Sequence, residues 1–298
     1  MKRFLLFFEK SESRLAFLLV LPAAVLVLAI LIYPLLYSLF ISFTDVGVIS
    51  KQTLHFVGFL NYLNAFKDPN FRNSVLETLY FVTGSVFIKL IFGLIIAITL
   101  NENFKGRGVV RALIILPWAT PLVVTGIMWK WMLDPAVGIF NFILKSLHII
   151  NSPVVWLGDK VFAMPSVVIA DVWQGTPFFV ILFLAGLQAI PKDLYEAVEI
   201  DGGGSFRKLW SITLPFLKFP IFITVILGTI SAINAFDLFF IMTKGGPGGA
   251  TQVATFFVWM NAFKFYRVNT SAAISYILLI LSLIIAVGYI KILRRVSK

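Results

Sequence analysis

The chain has 298 residues, of which 59% are hydrophobic and only 13% charged, and its mean hydropathy is +0.95. Soluble domains run at roughly 45–50% and 25%, so a water-soluble core is excluded. The net charge of +11 reads as membrane orientation rather than nucleic-acid binding, because most of it falls at span ends on one side.

Six apolar stretches follow one another, near residues 15–43, 75–100, 109–133, 164–189, 216–242 and 271–293. Each reaches the roughly 20 residues needed to cross about 30 Å of hydrocarbon, so the expected fold class is an all-α integral membrane protein with six transmembrane helices. The first stretch follows Lys2, Arg3, Lys10 and Arg14. It is too long for a signal-peptide core and no small-residue cleavage site closes it, so it reads as a retained anchor. Residues 1–14 and 294–298 are expected as cytoplasmic ends, with 15–293 as the membrane domain. That topology places 15 of the 25 basic residues in cytoplasmic segments, as the positive-inside rule requires. Prolines recur within the stretches (Pro22, Pro34, Pro117, Pro121, Pro177, Pro220), where each removes an amide donor and bends a helix. Either they simply recur, as they do in membrane helices, or the kinks shape a path.

Inside the stretches stand Lys89, Asp171, Gln174, Asn234 and Asp237, with Glu77 and Lys130 nearer the ends. A charge at the bilayer centre is costly, so such groups face protein or water. They are candidates for a substrate path together with Trp173, beside Gly175 and Pro177. Counting about 1.5 Å per residue sets Lys89 well away in depth from Asp171 and Asp237, so the count does not assure direct pairing; Lys89 either neutralises an acid on a neighbouring helix or serves the path. Trp118, Phe178 and Phe179 are close to these positions. Trp129 and Trp131 read as interfacial aromatics.

Between the fourth and fifth stretches the chain turns polar. Pro191 to Asp201 (PKDLYEAVEID) patterns as an amphipathic helix with proline at its start. Gly202, Gly203 and Gly204 suit a turn, where positive φ costs glycine nothing. Ser205 then stands where it can cap a second helix stopping at Pro215. Leu194, Ala197, Val198 and Ile200 offer an apolar stripe, with Asp193 and Glu196 as charges for a basic partner.

Phosphate-cradling and zinc-binding motifs are absent. The chain has no cysteine, and its two histidines, His55 and His148, lack metal-ligand spacing. No cofactor, metal or catalytic residue is therefore expected.

The polar segment, taken as 190–215, resembles the "EAA loop" of permease subunits of binding-protein-dependent ABC importers. Glu196, Ala197, Asp201, Gly202, Ile212, Leu214 and Pro215 match its pattern. Val198 departs from a second alanine, and Gly203 stands where alanine is usual. A further stretch resembles the T-x-GGP-x-x-x-T signature of sugar permeases of the maltose and glycerol-phosphate type, through Thr243, Gly245, Gly246, Pro247 and Thr251.

The resemblance covers nearly the whole chain. It implies a type I ABC importer permease in a bacterial or archaeal cytoplasmic membrane, without an ATPase site of its own. The implied partners are a second homologous permease subunit, two ATPase subunits gripping the EAA helix, and an extracytoplasmic sugar-binding protein met by the loops near 44–72, 134–163 and 243–270. A neutral oligosaccharide is the expected cargo, with glycerol phosphate or another anion as the alternative. An ion-coupled secondary transporter is the further alternative; such proteins often carry internal repeats, and no convincing one is seen here. A membrane enzyme would need a clustered acid–base or metal constellation, and the scattered carboxylates provide none.

Overall fold

The computed structural model describes residues 12–45 and 55–296. Lys2, Arg3, Lys10 and Lys298, counted above toward the cytoplasmic ends, lie outside them. The chain is almost entirely helical and divides into two compact units, Met1–Ala65 with Met260–Ile277 and Phe66–Trp259 with Leu278–Lys298. Among the described residues, five helices are long and apolar enough to cross a membrane, and six crossings result if one bent pair counts as a single span.

In the first unit, α1 (Glu12–Val27) and α2 (Tyr33–Ser42) join through a π turn at Leu28–Ile32. Pro34 lies in the first turn of α2. Proline lacks an amide and crowds the carbonyl four residues back, and the wider turn relieves both problems without ending the helix. Two short strands, β1 (Thr44–Asp45) and β2 (His55–Phe56), pair antiparallel. Asn61, at the start of α3 (Leu60–Lys67), is buried and donates at 2.9 Å to the carbonyls of both Ser42 and Thr44. These are carbonyls that the end of α2 leaves without helical partners. Tyr276, on the C-terminal helix α14 (Val268–Val296), donates to the Leu35 carbonyl at 2.5 Å.

The second unit is built on α4 (Pro69–Asn101) and α8 (Lys160–Gln188). Each starts at an aspartate cap: Asp68 accepts from the Asn70 amide, Asp159 from those of Val161 and Phe162. At 33 residues, α4 is about 50 Å long, more than an upright crossing needs.

The third apolar stretch, expected over 109–133 with Pro117 and Pro121 bending it, is divided in two. It breaks into α5 (Arg107–Ala119) and α6 (Leu122–Met132), bent by 97°. Thr120 is extended at the break, the conformation to which a following proline, here Pro121, drives its neighbour. After α7 (Ile139–Ser146) and α8 come α9 (Lys192–Ile200) and α10 (Ser205–Lys208). A π turn at Leu209–Thr213 leads into α11 (Leu214–Ile233). The fifth span therefore runs from Ser205 to Ile233 rather than over 216–242. The chain turns after Ile233 into two short helices, α12 (Asp237–Met242) and α13 (Ala254–Trp259).

Phe179 is the pin of this unit and is only 2% exposed. A Cβ added at Gly93 of α4 would stand 2.7 Å from its Cβ, and one at Gly228 of α11 2.6 Å from its ring. Two glycines thus let three membrane helices close around one phenylalanine, the small-residue packing that substitutes for hydrophobic drive in lipid.

Candidate functional site

Where α4, α8 and α11 meet, a cavity of about 500 Å³ opens, lined by Lys89, Asp171, Gln174, Asn234 and Asp237 among others. Five of the six path candidates are therefore brought together. Lys89 Nζ lies 2.5 Å from Asp171 Oδ2, with both side chains nearly buried, and the Ser85 hydroxyl donates to the same carboxylate oxygen. Lys89 thus neutralises an acid on a neighbouring helix, one of the two roles open to it, and does so in the lining of the cavity.

The depth count takes no account of side-chain reach, and a lysine stem extends well along an apolar wall before presenting its charge. Gly175 completes the fit: a Cβ there would sit 2.7 Å from Lys89 Cε and 2.8 Å from Nζ. The sequence does hold the cue. Ser85 and Lys89 are four apart on one helix, Asp171 and Gly175 four apart on another, so each pair shares a face.

The uncharged lining is also informative. Trp118 and Phe178 both border the cavity with ring centroids 6.1 Å apart. Ser231, not among the sequence candidates, lies one turn before Asn234 on the same face and lines it too. Asn234 turns one amide proton to its own helix, at the Ile230 carbonyl, and Asp237 occupies the first turn of α12. Trp173 is not part of the lining. It packs edge-on against Trp129, which also stacks on Phe140. Trp129 is 6% exposed, so it is a core residue rather than an interfacial one, whereas Trp131 is 70% exposed.

The second element is the segment between α8 and α11. Pro191 precedes α9 as expected, and Asp201 ends it. The Gly203 amide donates to the Val198 carbonyl at 2.8 Å and the Gly202 amide to that of Glu199 at 2.9 Å. This is the Schellman arrangement, which needs a left-handed residue after the cap. Gly202 supplies it with φ of +75°. Positive φ falls on Gly202 alone of the three glycines. Gly203 is required for space instead, since a Cβ there would meet Val198 Cγ1 at 2.5 Å and the Val198 carbonyl at 2.9 Å.

Two further expectations are corrected here. Ser205 makes no cap, since Gly204 holds that position and no side chain bonds there. Pro215 does not stop the helix either. The π turn before it spares the clash, the Thr213 hydroxyl donates to the Lys208 carbonyl at 3.3 Å, and α11 continues to Ile233. Ile212 is buried, while Leu214 and Pro215 form the first turn of α11.

Tyr195 and Thr213 place their hydroxyls 3.1 Å apart, and Lys208 pairs with Glu199. These two contacts clip α9 to the following span. Leu194, Glu196, Ala197, Ile200 and Asp201 are exposed, Ile200 at 86%. Of the anticipated apolar stripe, Val198 alone turns inward.

The Thr243–Thr251 stretch is a loop tied within itself and, through the Gly249 carbonyl that accepts from Asn73 at 3.3 Å, to α4. Thr251 is fully buried, with its hydroxyl 2.7 Å from both Thr243 Oγ1 and the Gly246 carbonyl. Gly245 has φ of +78°, and a Cβ there would strike the Phe256 ring at 2.6 Å. Pro247 follows Gly246 in the same turn. These five residues build the loop's shape.

Residues 89–295 match the model of the family described as "Binding-protein-dependent transport system inner membrane component". The chain belongs to this family.

It is 42% identical to the trehalose/maltose transport system permease protein MalF of Thermococcus litoralis over 287 residues, 95% of each chain. It is 31% identical to the trehalose transport system permease protein SugA of Mycobacterium tuberculosis over 281 residues, 94% of this chain and 89% of that one. Among solved structures, a bacterial ABC transporter involved in the import of the acidic polysaccharide alginate superposes with a TM-score of 0.85 at 20% identity, over 98% and 99% of the two chains. The fold is that of the type I ABC importer permeases, and the chain is a multi-pass membrane protein of that class.

Proposed function

We propose that this chain is one membrane subunit of an ATP-driven importer of neutral sugars. It works with a second homologous permease subunit, two ATPase subunits and an extracytoplasmic sugar-binding protein. The observation that carries this is α9: a short helix between two membrane spans, clipped at Tyr195 and Glu199, with Leu194, Glu196, Ala197 and Ile200 turned away from its own chain. The relatives named for trehalose and maltose transport support the cargo class.

In this reading the ATPase grips α9, and the clips pass its displacement into α11, one wall of the cavity. Both termini and α9 lie in the cytoplasm, as the distribution of basic residues favours. In the cavity, Trp118 and Phe178 give an aromatic surface for the C–H faces of a sugar ring, while Gln174, Ser231, Asn234 and Asp237 bond its hydroxyls. The charge balance favours a neutral cargo. Lys89 is matched by Asp171, and Asp237 adds a second carboxylate, so an anion meets no uncompensated cation. The Thr243–Thr251 loop and the loops near 134–163 face the binding protein.

The test is reconstitution with the partner subunits. Glu196→Ala and Gly202→Ala are expected to insert normally and leave ATP hydrolysis running while transport falls by at least about tenfold, a loss near 1.4 kcal/mol of coupling. Transport at the parental rate in both variants would refute the coupling role.

A further inference from the structure

We infer that Arg107 and Arg111, at the start of α5, form a binding site for the phosphate headgroup of an anionic phospholipid. The two residues stand four apart on one helix and so lie on the same face. Each guanidinium is held by one bond to the end of α4 and the turn after it: Arg107 Nη1 donates to Asn103 Oδ1 at 3.0 Å, Arg111 Nη2 to the Leu100 carbonyl at 3.1 Å. The Nε of each is buried and finds no acceptor. No carboxylate lies within ion-pair distance of either arginine among the described residues, although Glu102 is near in sequence.

Two oriented, uncompensated guanidiniums fit the oxygens of a phosphate, through the remaining Nη–H donors. The surroundings indicate which phosphate. α5 is the first half of the apolar bent pair, and Val109, Leu113 and Leu116 on it are 65%, 58% and 60% exposed. A ligand with an anionic head and apolar tails satisfies both features, whereas inorganic phosphate uses only the first. The space beside Gly106 and Gly108 is open, since nothing stands within 4 Å of where a side chain at either would begin. Basic pockets at the headgroup level recognise anionic lipids in this manner.

The test uses the purified full chain and does not depend on transport. Bound lipid is counted by native mass spectrometry after equilibration with phosphatidylglycerol or phosphatidylcholine of the same acyl length. Phosphatidylglycerol is expected to stay bound and phosphatidylcholine to be lost. R107Q/R111Q is expected to retain roughly tenfold less phosphatidylglycerol, and Lys145→Gln as much as the parent. Gly108→Leu keeps both arginines but obstructs the approach, so it is expected to show the same loss even if the double variant folds poorly. Equal retention in parent and Gly108→Leu would overturn the proposal. So would full displacement by inorganic phosphate, which would assign the site to a soluble anion. Protection of the arginines only in the assembled complex, with no lipid held by the chain alone, would assign it to a subunit contact.

Discussion

Lys89 and Asp171 show how a single buried ion pair sets the character of the cavity. Both side chains are largely buried at the cavity wall, and what holds the charges there is their mutual attraction plus the Ser85 hydroxyl. Removing one partner strands the other. Asp171→Asn is therefore expected to destabilise the protein by about 3–5 kcal/mol, seen as a lowered thermal midpoint in detergent. Lys89→Met with Asp171→Leu removes both charges and is expected to recover most of that stability. Transport in the double variant should remain at least about tenfold reduced, because the cavity has lost a polar wall. Stability recovered together with parental transport would make the pair scaffold only. The candidates themselves were legible in the sequence, since charges in apolar stretches stand out. Their pairing was left open, because it depends on the reach of the lysine stem and on the space left by Gly175.

Helices α9 and α11 carry the next lesson. The sequence shows a break at three glycines, but their separate duties emerge only in three dimensions. Gly202 supplies the left-handed residue, Gly203 clears Val198, and Gly204 has open space around it. Gly203→Ala is expected to displace α9 and reduce coupled transport, while Gly204→Ala should have little effect. Val198 and Gly203, the two departures from the EAA pattern, meet in space, and the γ-methyl of Val198 occupies room an alanine at 203 would need. Val198→Ala with Gly203→Ala should restore much of the transport lost in Gly203→Ala alone. A double variant no better than Gly203→Ala would show that the Val198 carbonyl, at 2.9 Å, is the real obstacle. The π turn ahead of Pro215 was illegible for a different reason. Proline ends a helix in most settings, and only the continuing α11 shows that this chain widens one turn instead.

At the scale of the molecule, three helices close around Phe179 through Gly93 and Gly228. Gly228→Leu is expected to force them apart at a cost of about 1–3 kcal/mol or more, with a lower yield of monodisperse protein as the readout. The same junction borders the cavity, so a variant that still folds should also transport poorly. Because the proposed energy source is a partner ATPase, transport by the reconstituted assembly should require ATP and survive dissipation of the proton and sodium gradients. Transport driven by either gradient without ATP would restore the secondary-transporter alternative.

Composition and run length were enough for the membrane class and the six apolar stretches, and local glycine and proline chemistry, which acts over a few residues, for the place of the exposed helix–turn–helix and for a bend in the third stretch. Which polar groups share a cavity, that Trp129 is core and that Trp173 stands off the lining emerge only once the helices pack. Those outcomes depend on the contacts of side chains far apart in the chain, and no local pattern encodes them.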